Sequence, residues 1–130
     1  MALDVEKELK IFWIAGIIVL IIFGLWYFIS PESVGVAFNW PFWDPYSTRG
    51  VGGIYLAWGI IAIMLYKDLD NWDKIESWLL FAIIVQVLGI INTFIGLIVY
   101  GIPIVTLLLG LIIAIFFAVL GIHIWIQKRK

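Results

Sequence analysis

The chain has 130 residues, 65% of them hydrophobic and 13% charged, with a net charge of −1 and no cysteine. A soluble domain averages nearly half apolar residues and about a quarter charged ones; here the apolar excess is gathered into long blocks free of Asp, Glu, Lys and Arg, which excludes water as the solvent for most of the chain. The lack of cysteine excludes a disulfide framework, a thiolate nucleophile and any Cys-ligated zinc or iron–sulfur centre.

Residues 1–10 carry Asp4, Glu6, Lys7, Glu8 and Lys10. Glu6 and Lys10 form an i,i+4 pair in the favourable order, which extends the first helix into water. The apolar run 11–29 makes a helix roughly 28 Å long, matched to a hydrocarbon core of ~30 Å. It is longer than the apolar core of a secretory signal, about 7–15 residues, and it ends in Ser30-Pro31-Glu32 without a small-residue cleavage pattern. It is therefore read as a retained first span.

Residues 30–49 form the longest polar connection. Ser30-Pro31-Glu32 has the form of a helix start, with a capping Ser, Pro at the first position and an acid in the first turn. A short surface helix over 32–38 is expected. Pro41 and Pro45 then argue against regular structure, and the aromatics Trp40, Phe42, Trp43 and Tyr46 suit the headgroup layer. The second span is read over 51–66, short enough to need Arg49 and Lys67 snorkelling to the two interfaces. A charged loop follows at 67–76, the third span at 77–100, a Gly101-Ile102-Pro103 turn, the fourth span at 103–126 and a basic tail at 127–130.

The expected fold is thus all-α: a single membrane domain, a bundle of four transmembrane helices. Lys7, Lys10, Lys67, Lys74, Lys128, Arg129 and Lys130 fall on one side, and Arg49 alone on the other. Seven positives against one place both termini in the cytoplasm, here of a prokaryotic plasma membrane, and put the aromatic loop on the outer face.

In lipid, small residues mark close helix contacts. The fourth span has Gly110, Ala114 and Ala118 at four-residue spacing, with Gly121 nearby; the second has Gly53 with Ala57, and Gly52 with Gly59 one heptad apart. Gln86, Gly89, Thr93, Gly96 and Tyr100 share one face of the third span. That face reads either as a helix seam, with Gln86 and Thr93 bonded to neighbours, or as the lining of a ligand cleft or polar path. Asn92 lies off it and is expected to make an interhelical hydrogen bond.

Arg49, followed by Gly50-Val51-Gly52-Gly53, could form an anion site at a helix amino end, for a lipid phosphate or a carboxylate, with Trp40, Trp43 and Tyr46 around it. The alternatives for Arg49 are an interfacial anchor or an ion pair with Asp44. His123 is the single histidine, so one chain cannot supply bis-His ligation, and neither metal nor cofactor is expected. The acids Asp68, Asp70, Asp73 and Glu76 lack calcium-loop spacing. No Asp, Glu, Lys or Arg lies inside a span. That argues against protonation-driven transport and intramembrane proteolysis, which need such groups.

Ser30-Pro31-Glu32 after the first span, and Thr48-Arg49-Gly50-Val51-Gly52-Gly53-Ile54-Tyr55-Leu56-Ala57-Trp58-Gly59 opening the second, resemble small four-helix membrane proteins related to the DoxX-like group. Their pattern has a Pro after helix 1 and an Arg-x-x-Gly-Gly segment into helix 2. The resemblance implies the four-span layout and no settled activity. The further charged residues of that pattern in helices 3 and 4 are absent here.

These features point to a non-enzymatic accessory or scaffold subunit of a larger integral membrane complex. Its partners would be membrane lipids and other membrane subunits or copies of itself, and not nucleic acid. The alternatives are a bundle that binds or transports a lipid, quinone or other small apolar molecule, and an oligomeric channel lined by Gln86, Thr93 and Tyr100.

Overall fold

A computed structural model describes residues 4–41 and 43–130. Among these the chain is all-α, with five helices: α1 (Val5–Ile29), α2 (Pro31–Phe38), α3 (Pro45–Tyr66), α4 (Trp72–Ile98) and α5 (Ile104–Lys128). All but α2 are long and apolar enough to cross a bilayer. The protein is an integral membrane protein with four candidate spans. Phe42, one of the aromatics of the connecting loop, and residues 1–3 of the charged amino end lie outside the described residues.

Caps set where the helices begin. The Asp4 carboxylate accepts the Glu6 amide at 3.1 Å, and the Asp4 carbonyl accepts those of Lys7 and Glu8. This starts α1 six residues before the apolar run, with Glu6 and Glu8 at the positive end of the helix dipole. Ser30 precedes α2, but its hydroxyl makes no cap. Its carbonyl instead accepts the Ser33 hydroxyl at 2.8 Å, and Ser33 Oγ in turn accepts Trp26 Nε1 at 2.7 Å. α2 stops at Asn39, which takes the left-handed backbone (φ 48) that Asn tolerates better than most residues.

The largest departure from the sequence reading is α3. It begins at Pro45 rather than near residue 51. Proline disrupts helix interiors but suits the first position, where no amide hydrogen is needed. Asp44 accepts the amides of Tyr46 and Ser47 at 3.1 and 3.2 Å, together with the Ser47 hydroxyl. The resulting helix has 22 residues, about 33 Å long, with Arg49 in its second turn. α4 begins at Trp72 because Asn71 caps it, accepting the Lys74 amide. After α4 the chain reverses through Gly101 at φ 62, in the left-handed region that favours glycine. The Ile102 amide donates back to the Gly96 carbonyl at 3.0 Å. Pro103 is the residue before α5 rather than its first residue.

The chain forms two compact units. One comprises residues 4–13 with Lys67–Lys130, the other Ile14–Tyr66, and α1 contributes to both. In the first unit, α4 packs on α5 as a hairpin joined by the start of α1. Ile75, Leu79 and Ile83 of α4 are buried, as are Leu107, Ala114, Phe117, Ala118, Gly121 and Ile124 of α5 and Leu9, Phe12 and Trp13 of α1. Phe12 meets Phe117 edge-on, with ring centroids 5.2 Å apart. In the second unit, α1 and α3 run antiparallel at backbone contact. A Cβ at Gly52 would lie 2.5 Å from the Phe28 amide nitrogen, and one at Gly24 would lie 3.0 Å from the Leu56 nitrogen.

Candidate functional site

Three polar places were legible in the sequence, and the folded chain treats each differently. The first is the Arg49 segment. The early start of α3 places Arg49 in the second turn and Gly50, Gly52 and Gly53 within the helix. Their amides are therefore no longer the free donors of a helix amino end, and the anion site read there is not formed. Arg49 Nε donates to the Phe28 carbonyl at 3.1 Å, satisfying one of the acceptors that the last turn of α1 leaves open. The alternative ion pair with Asp44 is not made either, because the Asp44 oxygens cap α3.

The surrounding residues also divide. Gly52 is a contact point between α3 and α1; Gly53 has only the Phe28 ring nearby, at 3.7 Å from an added Cβ. Trp40 is exposed and Tyr46 is 85% exposed. Trp43 is half-buried, its indole lying where a Cβ on Gly35 of α2 would be, at 2.5 Å. Its Nε1 is buried without a hydrogen-bond acceptor. Trp43 thus fastens α2 rather than lining an opening.

The Asp44 cap carries a pH dependence. The Ser47 hydroxyl, then the Ser47 and Tyr46 amides, hold the Asp44 carboxyl below the ordinary carboxylate range. Because the folded value is the lower one, the cap's contribution is present above the ordinary value and is lost as pH falls through the depressed one. The Tyr46 and Ser47 amide resonances are expected to stay fixed from neutral pH to roughly pH 4 and to move only below it. Asp44→Ala should show the uncapped positions throughout. Wild-type resonances that shift well above pH 4 would contradict the cap.

The second place is α4. Thr93 and Gly96 are buried, Gln86 and Gly89 half-buried, and Tyr100 62% exposed. Thr93 Oγ1 donates to the Gly89 carbonyl of its own helix at 2.9 Å, and Gln86 has no side-chain hydrogen bond among the described residues. The expected cross-helix bonds of Gln86 and Thr93 are not made. Of that face, Gly96 does lie at a helix contact, against Leu107 and Ile102, and on α5 Gly121 lies against Ile83 and Phe12. Ala114 and Ala118 are buried. Gly110 is exposed, with open space where its Cβ would be, so it marks no contact within the chain. Asn92 faces outward and is exposed. No described residue hydrogen-bonds its amide.

The third place is the end of the first unit where the start of α1, the start of α4 and the end of α5 meet. Glu76 accepts Trp125 Nε1 at 3.0 Å and Arg129 Nε at 2.9 Å. The Arg129 guanidinium lies 4.7 Å from the Trp125 ring centroid, and Lys128 lies over Trp72. Asp68 pairs with Lys74, whose hydrogen bond holds the Asp68 carboxyl below the ordinary range. Glu8 is buried, and its Oε2 lies 3.3 Å from His123 Nε2 without the alignment of a hydrogen bond. The sequence placed Glu8 in a water-facing extension. Its burial could have been suspected from its spacing of one turn before Phe12, which puts both on the same side of α1.

Comparison with protein-family models finds no match, and comparisons with curated proteins and with solved structures likewise find none.

Proposed function

We propose that the chain is a non-enzymatic accessory or scaffold subunit of a larger integral membrane complex, with both termini in the cytoplasm. Asn92 carries this reading. It sits within the apolar helix α4, exposed and without a hydrogen-bond partner among the described residues. A primary amide facing hydrocarbon is costly, and in membranes such residues are satisfied across helix–helix contacts. The partner that Asn92 lacks internally is then supplied by another helix. The neighbouring surface offers nothing polar to compete, since Leu88, Ile95 and Val99 are exposed and apolar.

Three further features support the reading. The lysines and arginines fall seven to one on the side proposed as cytoplasmic. The outer anion cradle that a lipid-binding bundle would use is replaced by helix backbone, and Thr93 is buried rather than facing a conduit. The DoxX-like resemblance stays within this proposal, as a likeness of layout that names no activity.

Wild-type chain extracted from its native membrane in mild detergent is expected to run heavier than a monomer and to carry other integral membrane proteins, identified by mass spectrometry. Asn92→Leu should release them, with loss of about 0.6–2 kcal/mol of association. A wild-type chain that extracts as a clean monomer at native expression would sink the proposal.

A further inference from the structure

We infer that Lys128 and Arg129, at the end of α5, bind the phosphate of an anionic phospholipid. Such a lipid site stands whether or not the chain has protein partners. Trp72 opens α4, and Trp125 lies in the last turn of α5. Tryptophan at the end of a membrane-crossing helix sits at the level of the headgroups. Each of these indoles carries a cation. The Lys128 ammonium lies 6.0 Å from the Trp72 ring centroid, and the Arg129 guanidinium 4.7 Å from that of Trp125. The two cations are therefore held at the depth of the lipid phosphates, against rings of two different helices rather than on a free tail. Glu76 fixes the orientation of Arg129. It accepts Arg129 Nε at 2.9 Å on the same oxygen that takes Trp125 Nε1. The two terminal nitrogens of the guanidinium have no bond among the described residues, and the side chain remains 58% exposed. A guanidinium can donate two parallel hydrogen bonds to a phosphate, where lysine offers a point charge. Neither Lys128 nor Lys130 is paired with a carboxylate among the described residues. Asp68 is taken by Lys74, whereas Asp70 and Asp73 are exposed, so the attraction for an anion is confined to the end of α5.

The whole chain in mild detergent would be titrated with phosphatidylglycerol or with phosphatidylcholine, and the bound lipid counted by native mass spectrometry. Wild type is expected to prefer phosphatidylglycerol. Lys128→Gln and Arg129→Gln should each weaken its binding by about 5-fold, the equivalent of roughly 1 kcal/mol per basic residue at a membrane surface. Arg129→Lys, which keeps the charge and loses the paired donors, should weaken it less than Arg129→Gln. Lys10→Gln and Arg49→Gln remove the same charge elsewhere and should leave binding unchanged. The Lys128 ammonium makes no hydrogen bond among the described residues, so Lys128→Gln still reports if loss of the Glu76–Arg129 contact unfolds the other variant. Equal affinity for the two lipids, or an equal loss from Lys10→Gln, would overturn the inference. Displacement of phosphatidylglycerol by the same concentration of inorganic phosphate would also overturn it, assigning these residues to a free anion instead.

Discussion

Gly52→Ala is expected to destabilise the α1–α3 pair by about 2–3 kcal/mol, toward the upper end of the usual cost of overpacking. The added methyl would sit 2.5 Å from the Phe28 amide nitrogen, 2.9 Å from the Gly24 carbonyl oxygen and 2.9 Å from the Tyr27 carbonyl carbon. All three atoms belong to helix backbone, so no rotamer change relieves the clash, and the two helices must separate along their contact. In lipid that separation is not offset by a hydrophobic drive to stay together, because close packing is itself a main source of association. Gly52→Leu should be worse. Gly121→Ala should cost less, because its nearest atoms are side chains of Ile83 and Phe12 that can shift. Gly50→Ala is the control: it lies in the same helix with nothing within 4 Å, and it should be neutral or stabilising by up to ~1 kcal/mol from helix propensity. The measurement is the midpoint of reversible SDS-induced unfolding in mixed micelles, followed by tryptophan fluorescence. Gly52→Ala and Gly50→Ala with the same midpoint would refute the backbone contact.

The second large effect is expected at His123. Glu8 is 6% exposed, its Oε2 has no hydrogen-bond donor among the described residues, and the His123 imidazole 3.3 Å away is its nearest polar neighbour. His123→Leu leaves a buried carboxyl without that neighbour, at an expected cost of ~1–3 kcal/mol. This is less than for a fully buried pair because the His123 side chain is itself 50% exposed to solvent. The double variant Glu8→Leu/His123→Leu should regain most of the loss, since it removes the buried polar group that the single variant leaves unsatisfied. The two substitutions are close enough to couple, so a double-mutant cycle reads the interaction directly. If the double variant is as unstable as the sum of the singles, the contact contributes nothing and Glu8 is held by packing alone.

Some of the close contacts were legible from spacing. Gly52 and Gly59, a heptad apart, do both face α1, Gly121 does meet Ile83 of α4, and Ala114 and Ala118 are buried. Others were not. Gly24 is one glycine in an apolar run, and nothing in its own surroundings distinguishes it from a lipid-facing position. Gly110 has the spacing of a seam residue yet faces open space. Asn92 was expected to make a buried interhelical hydrogen bond, and it is exposed with no described residue bonded to its amide. The Arg49 cradle failed because one cap, at Asp44, moved the start of α3 and turned the supposed free amides into helix interior.

By itself the sequence determined what depends on composition and local chemistry. It determined the four long apolar helices, the breaks between them, the glycine at the positive-φ turn before α5 and the uneven distribution of positive charge. The tertiary structure decided the rotation of each helix about its axis. That rotation buried Glu8 and Thr93, exposed Asn92 and set Arg49 on the end of α1. The division has a physical cause. In water, the buried face of a helix is written as an apolar stripe against a polar one. In a bilayer both the inner and the lipid-facing sides are apolar, so the facing of each helix is fixed by packing geometry and a few polar atoms.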